Sequence, residues 1–188
     1  MSRALPAQVG DAVIIEQSWG EPERFSAIFD RYYPEIHDYA ARRLDSALAD
    51  DIAAETFLIA FDKRTGYDLA RPDARPWLYG ITSNLIARHR RAEVRQYRAL
   101  AKAGTEKPME DHADRVAGVV DAGARKSRLA QALAEIADGD RDVLLLIAWA
   151  EFTSEEAGSA LGIPAGTARS RLHRARRKIQ AVLGEDAS

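Results

Sequence analysis

The chain contains no cysteine. That absence removes disulfides, thiolate-bound metals, iron–sulfur clusters and cysteine nucleophiles together, and it suits a reducing compartment. Long apolar runs are missing too. None approaches the roughly 18 residues that a membrane span requires. The N-terminal stretch MSRALPAQVGDAVIIEQ holds only a short apolar patch where a signal peptide needs a longer one. A cytoplasmic protein without membrane insertion is expected. The histidines His37, His89, His112 and His173 share no metal-ligand spacing. No phosphate-cradling glycine loop follows a strand, and no nucleophile elbow occurs. The expectation is no enzyme, no metal and no cofactor.

No segment alternates apolar and polar residues with β-branched enrichment, so no strands are expected. What the chain does have is helical periodicity. Its 188 residues are 46% hydrophobic and 30% charged, enough to bury a core rather than stay disordered. Phe25, Ile28, Phe29, Tyr32, Tyr33, Ile36, Tyr39 and Ala40 trace one apolar face, with Pro34 expected to bend or restart that helix. A second helix is predicted over 49–63 and a third over 75–98, entered through Pro72 and Pro76. Residues 101–124 lack aromatics and are rich in Ala, Gly and charge, which predicts a linker with helical character toward its end. Further helices are predicted over 127–137, over 140–151 and on either side of Gly162-Ile163-Pro164. The fold class is therefore all-α: two small helical domains, 21–100 and 125–184, joined by a flexible linker over 101–124. Residues 1–20 take no assignment, and the five residues after Leu183 leave no room for a C-terminal regulatory domain.

A formal charge of −2 conceals strong segregation. Residues 1–62 carry net −7, whereas 63–100 carry +6 and 165–188 carry +4. Two solvated helix faces would explain either basic block alone. Two such blocks, both Arg-dominated, point to a polyanion.

The C-terminal block sits in a helix-turn-helix pattern. Thr153-Ser154-Glu155-Glu156 matches a capping box, Gly162 suits a left-handed helix end, and Pro164 suits the start of the next helix. In that next helix Ala168, Leu172, Ala175 and Ile179 form one buried stripe. The outward positions are Arg169, Ser170, Arg171, His173, Arg174, Arg176, Arg177 and Lys178. A helix of this kind fits the major groove, where Arg forks match the O6/N7 pair of guanine.

The N-terminal domain combines other chemistry. The helix over 49–63 is apolar almost all round, with Asp51, Glu55 and Asp62 on a narrow polar edge and Leu58 beside it. Such a helix is either a central core element or one that also offers a partner-binding edge. The third helix interleaves Trp77, Tyr79 and Asn84 with Arg88, Arg90, Arg91, Arg95 and Arg98. Rings that stack on bases, guanidinium groups that hold phosphates and an amide that reads a base edge suit melted nucleic acid. Taken singly, Trp77 and Tyr79 read as core aromatics; with the loop Thr65–Arg75 they could form a pocket for an extruded base.

The order of Asp51-Ile52-Ala53-Ala54-Glu55-Thr56-Phe57, Arg75-Pro76-Trp77-Leu78-Tyr79-Gly80-Ile81, Asn84-Leu85 and Gly166-Thr167-Ala168-Arg169-Ser170-Arg171-Leu172-His173-Arg174-Ala175-Arg176 resembles the extracytoplasmic-function (ECF) group of sigma-70 family sigma factors. The resemblance implies a subunit that associates with core RNA polymerase and directs promoter recognition and transcription initiation. It implies a sigma-2 module on the β′ clamp helices and the −10 element of promoter DNA, and a sigma-4 module on the −35 element and the β flap. By the same resemblance Asp51, Glu55 and Leu58 would meet polymerase. Trp77, Asn84, Arg88 and Arg91 would serve the −10 element, with Asn84 and the 65–75 loop around a flipped base. Arg169, Ser170, Arg171, His173, Arg174 and Arg177 would contact the −35 element. An anti-sigma factor is a further partner that the resemblance allows. The chain departs from the family pattern at Ala54, where Gln is usual, and at Arg88, where an acid is common.

The competing expectation is a stand-alone helix-turn-helix regulator acting without polymerase. A repressor of that kind has no use for a melted-strand pocket. Geometry adds a condition. Two elements about 17 base pairs apart lie roughly 58 Å apart at about 3.4 Å per pair. A 24-residue linker over 101–124 reaches at most about 80 Å when extended, and about 25–30 Å when relaxed. The linker can bridge the two sites only when stretched, and a compact free state with the modules docked is open to it.

Overall fold

The computed structural model describes residues 9–103 and 113–184, with side chains described over 9–103 and 123–183. Among these residues every regular element is helical. The middle of the expected linker, 104–112, lies outside them, as do residues 1–8 and 185–188.

The α1 helix (Asp11–Gln17) occupies part of the N-terminal stretch that the sequence left unassigned. Its Asp11 is buried, pairs with Arg31, accepts from Tyr32 Oη at 2.6 Å and accepts from the Ala74 amide at 2.9 Å. One carboxylate thus ties α1 to the second helix and to the loop ahead of the fourth. After a 3-10 turn at Pro22–Phe25, α2 (Ser26–Ala41) buries Ile28, Tyr32, Ile36, Tyr39 and Ala40. It runs through Pro34 without restarting. The proline lies on the exposed side, where water can satisfy the carbonyl that loses its partner.

The α3 helix (Ser46–Lys63) starts one turn earlier than predicted, because the Asp45 carboxylate accepts from the Leu48 amide at 3.0 Å and caps it. It packs against α2 on one side and α4 (Arg75–Arg88) on the other, as its nearly all-round apolar surface requires. The predicted helix over 75–98 is two helices. It breaks at His89 (φ −104°, ψ 23°), and α5 (Arg90–Ala103) leaves in a new direction. The break falls in Arg88-His89-Arg90-Arg91, where the apolar spacing lapses.

The α5 helix packs along α6 (Ala113–Glu135), which extends back through 113–124, the stretch expected to gain helical character toward the linker's end. Then come α7 (Asp138–Trp149), α8 (Ser154–Leu161) and α9 (Ala165–Gly184). The two helical modules share one continuous core. Tyr39 and Tyr79 of the first meet Trp149 and Phe152 of the second edge to face, with the Tyr79 and Phe152 centroids 5.1 Å apart. The α4 and α8 helices pack directly on one another.

Candidate nucleic-acid and polymerase interfaces

The turn ahead of α9 is built as its sequence dictates. Thr153 Oγ1 accepts from the Glu156 amide at 3.2 Å, while the Thr153 amide donates to the Glu156 carboxylate at 2.7 Å. The Thr153 hydroxyl also donates to that carboxylate at 2.8 Å, and the two bonds from the Thr153 amide and hydroxyl hold the Glu156 carboxyl below the usual carboxylate range. Gly162 is left-handed (φ 65°) and ends α8. Gly158 lets α8 approach the turn, since a Cβ there would lie 2.8 Å from the Ile163 carbonyl oxygen.

These constraints fix the face that α9 presents. Of the predicted buried stripe, Ala168 and Ala175 are buried, while Leu172 and Ile179 are half-buried. The outward residues divide into two groups. Arg169, Ser170, His173, Arg176 and Arg177 are exposed, and the four cations and rings among them have no ion-pair partner among the described residues. On the other flank, Arg174 donates to Asp140 of α7 through Nε at 2.8 Å and Nη2 at 2.7 Å. Asp140 thereby raises the Arg174 pKa. Lys178 pairs with Glu135 at 3.0 Å. Arg171 is half-buried over the start of α7, where a Cβ on Gly139 would meet its guanidinium.

On the N-terminal module, Trp77 and Asn84 line a cavity of about 290 Å³ together with Gly66, Tyr67 and Arg71 of the 65–75 loop. The Tyr67 and Trp77 rings lie 4.9 Å apart. Tyr67 Oη donates to the Arg71 carbonyl at 2.8 Å, and burial pushes that phenol up to about 12, so it remains a neutral donor. Tyr79, expected in the same pocket, is elsewhere. Two residues along a helix turn a side chain to the opposite side, and Tyr79 is buried against Tyr39 and Phe152. Arg88 and Arg91 do not line the cavity either. Arg88 is exposed 3.7 Å from Glu55, and Arg91 lies on α5 in a groove with Arg90, Arg95 and Arg98. The remaining wall of the cavity comes from the other module: Ser159 and Ala160 of α8, with Arg71 bonded to the Ser159 hydroxyl.

The third group lies along α3. Asp51, Glu55 and Leu58 are all exposed, Leu58 by 62%. Sequence reasoning missed the aromatic ladder beside them. Phe29 stacks on Tyr33 at 4.8 Å and touches Phe57 edge-on at 5.0 Å, yet remains 40% exposed. Its place in a regular apolar pattern read as core. The nearby His37 Nε2 and Asp50 Oδ1 are 2.8 Å apart.

Sequence reasoning also missed a buried ionic cluster between the modules. Glu93 of α5 accepts from Arg43 Nε at 2.7 Å and from Arg141 Nη2 of α7 at 3.0 Å, while Arg43 Nη2 reaches Asp142 at 2.5 Å. Arg43, Glu93 and Arg141 are each only 1% exposed. Little local in sequence marks them: Asp138 lies three residues from Arg141, but Glu93 and Asp142 reach these arginines across about 50 or more residues.

Among the described residues no helix is long and apolar enough to cross a membrane, and no cluster of His, Asp or Glu could hold a metal ion. Family models described as Sigma-70 region 2 and Sigma-70, region 4 match residues 28–96 and 126–179. The chain is 32% identical over 172 residues to the ECF RNA polymerase sigma factor SigW of Bacillus subtilis, covering 87% of this chain and 91% of that one. In fold it is similar to CnrH, solved with the cytosolic domain of CnrY (TM-score 0.65, 24% identity, 94% of this chain and 98% of that one). It is also similar to the sigma factor RpoE of Bartonella quintana, solved with the anti-sigma factor NepR (TM-score 0.57, 20% identity, 86% and 98%). The acidic edge and the ring-lined cavity lie within the region 2 match, and the basic helix-turn-helix lies largely within the region 4 match. The chain belongs to the ECF group of sigma-70 family sigma factors, the subunits that join core RNA polymerase and direct it to promoters.

Proposed function

We propose that residues 21–100 form the module that engages core polymerase and the −10 element, that 125–184 read the −35 element, and that 101–124 connect them. Asp51, Glu55 and Leu58 meet the β′ clamp helices, with Phe29 enlarging the apolar part of that surface. Trp77 and Asn84 hold an extruded −10 base in the cavity closed by the 65–75 loop, while Arg88 and Arg91 contact the strand alongside. Arg169, Ser170, Arg171, His173, Arg174 and Arg177 serve the −35 element. The observation that carries this reading is the convergence of Trp77, Asn84 and the 65–75 loop on one base-sized cavity, a feature without use in a regulator that acts on duplex DNA alone. The protein works in the cytoplasm with the polymerase. An anti-sigma factor, the partner that RpoE holds in its solved complex, belongs to the same reading.

The docked arrangement sets a condition on this activity. The α8 helix of the −35 module walls the −10 cavity, whereas the two promoter elements lie roughly 58 Å apart at about 3.4 Å per base pair. The modules therefore separate before both elements are held.

Run-off transcription with core polymerase on a promoter library tests the proposal. Products should share two elements about 17 base pairs apart, and Glu55→Lys should lose co-elution with core polymerase while keeping its helicity. Failure of the wild-type chain to co-elute would favour the stand-alone regulator instead.

A further inference from the structure

Arg174 is the one outward cation of the recognition helix whose guanidinium is clamped on one side and open on the other. Its Nε and Nη2 atoms both donate to the Asp140 carboxylate, at 2.8 and 2.7 Å, yet the side chain is 58% exposed. That fork uses the Nε edge. The Nη1/Nη2 edge carries its own parallel pair of N–H donors and remains available. The carboxylate is itself held: Asp140 is only 9% exposed and lies in the first turn of α7, where the helix dipole favours a negative charge.

We propose that Asp140 is a positioning residue for promoter recognition, holding Arg174 so that its outer edge reads one guanine of the −35 element. The inference rests on the assignment of Arg174 to −35 contact and adds the group that orients it. Two physical consequences distinguish it from ordinary helix packing. A clamped arginine has already lost the rotamer freedom that a free one gives up on binding, so a bidentate base contact costs less. A carboxylate beside the guanidinium also cancels its charge toward phosphate. Asp140 therefore favours base reading and opposes backbone binding. Lys178, paired with Glu135 on the same flank, cannot substitute, since an ammonium presents no second fork.

The test uses the full chain assembled with core polymerase and a promoter pool randomised across the −35 element, in wild-type, Arg174→Ala, Asp140→Asn, Asp140→Glu and Arg174→Lys forms. Asp140→Asn should lose about three- to tenfold discrimination at the one base pair that Arg174→Ala affects, the size expected for part of a bidentate contact. Preference elsewhere should be unchanged, and affinity for non-promoter duplex should rise, with a steeper salt dependence. Asp140→Glu should restore part of the discrimination. Arg174→Lys, which keeps the charge and the fold, should lose discrimination while retaining non-specific affinity. If Asp140→Asn keeps the wild-type profile, or weakens every sequence equally, while Arg174→Ala shifts one position, the positioning role is overturned and the −35 assignment stands. If Arg174→Ala shifts no position, the assignment falls and the inference with it.

Discussion

Gly80 of α4 lies directly against Ala160 of α8: a Cβ at position 80 would overlap the Ala160 carbonyl oxygen and sit 3.2 Å from its carbonyl carbon. Backbone on both sides leaves no flexible side chain to yield. The closeness of the two modules therefore depends on the absence of one methyl group, and that methyl group supplies a test. In a helix interior Ala is favoured over Gly by about 0.5–1 kcal/mol. Gly80→Ala should then strengthen α4 while forcing α8 away. Small-angle scattering should show a larger radius of gyration than wild type, and open-promoter formation with polymerase should be maintained or faster. An unchanged radius would mean that the helices accommodate the methyl group by sliding.

The buried cluster around Glu93 makes a sharper energetic prediction. Its carboxylate is shared between Arg43 and Arg141, both buried. Glu93→Gln leaves two cations with Asp142 and Asp138 as their remaining acidic partners. Breaking a buried pair from one side typically costs about 3–5 kcal/mol. The loss should appear as a lower denaturation midpoint, and it should be greatest where the α2, α5 and α7 helices meet. Amide exchange in α5 and α7 should accelerate before exchange in α3 does.

The capping box of α8 predicts a pH dependence. Glu156 titrates below the usual carboxylate range because the Thr153 amide and hydroxyl favour its charged form. A depressed native pKa stabilises the fold above the unfolded value of about 4.3. That contribution disappears as pH falls through the native value. Glu156→Ala should cost about 1 kcal/mol at neutral pH. It should also flatten the acid limb of stability against pH relative to wild type. Equal acid limbs would place the linkage elsewhere.

How much of this was legible in sequence followed the range of the forces involved. The capping box, the left-handed Gly162 and the buried stripe of α9 depend on residues within a few positions of each other, and they stand where the motif put them. The cavity was legible as a set of residue types, but only the 65–75 loop with Trp77 and Asn84 converge on it. Tyr79 points away, which simple helix geometry could have predicted. The break at His89 falls in the polar run 88–91, a lapse in the apolar pattern that a single helix over 75–98 passes over. Arg43 and Arg141 drew no reading from the sequence, because the Glu93 carboxylate that binds both lies about 50 residues away in the chain. Phe29 had the opposite fate: it matched a core pattern and remains 40% exposed.

The exposed edge of α3 carries the last prediction. Leu58 is 62% exposed on α3, one turn from the exposed Glu55. Surface changes away from buried features usually alter stability by no more than about 0.5 kcal/mol, so Leu58→Lys should leave the melting temperature nearly unchanged. A partner that uses this edge would meet a charge where it needs an apolar contact, beside an acidic rim suited to a basic helix. Such a change at the centre of an interface costs about 2 kcal/mol or more, a loss of at least about thirtyfold in affinity. Titration of core polymerase with labelled protein measures it directly. Promoter selectivity in the remaining complex should be unaffected, because Leu58 lines neither the Trp77–Asn84 cavity nor the α9 face. Unaltered polymerase affinity would show that the machine grips the protein on some other side.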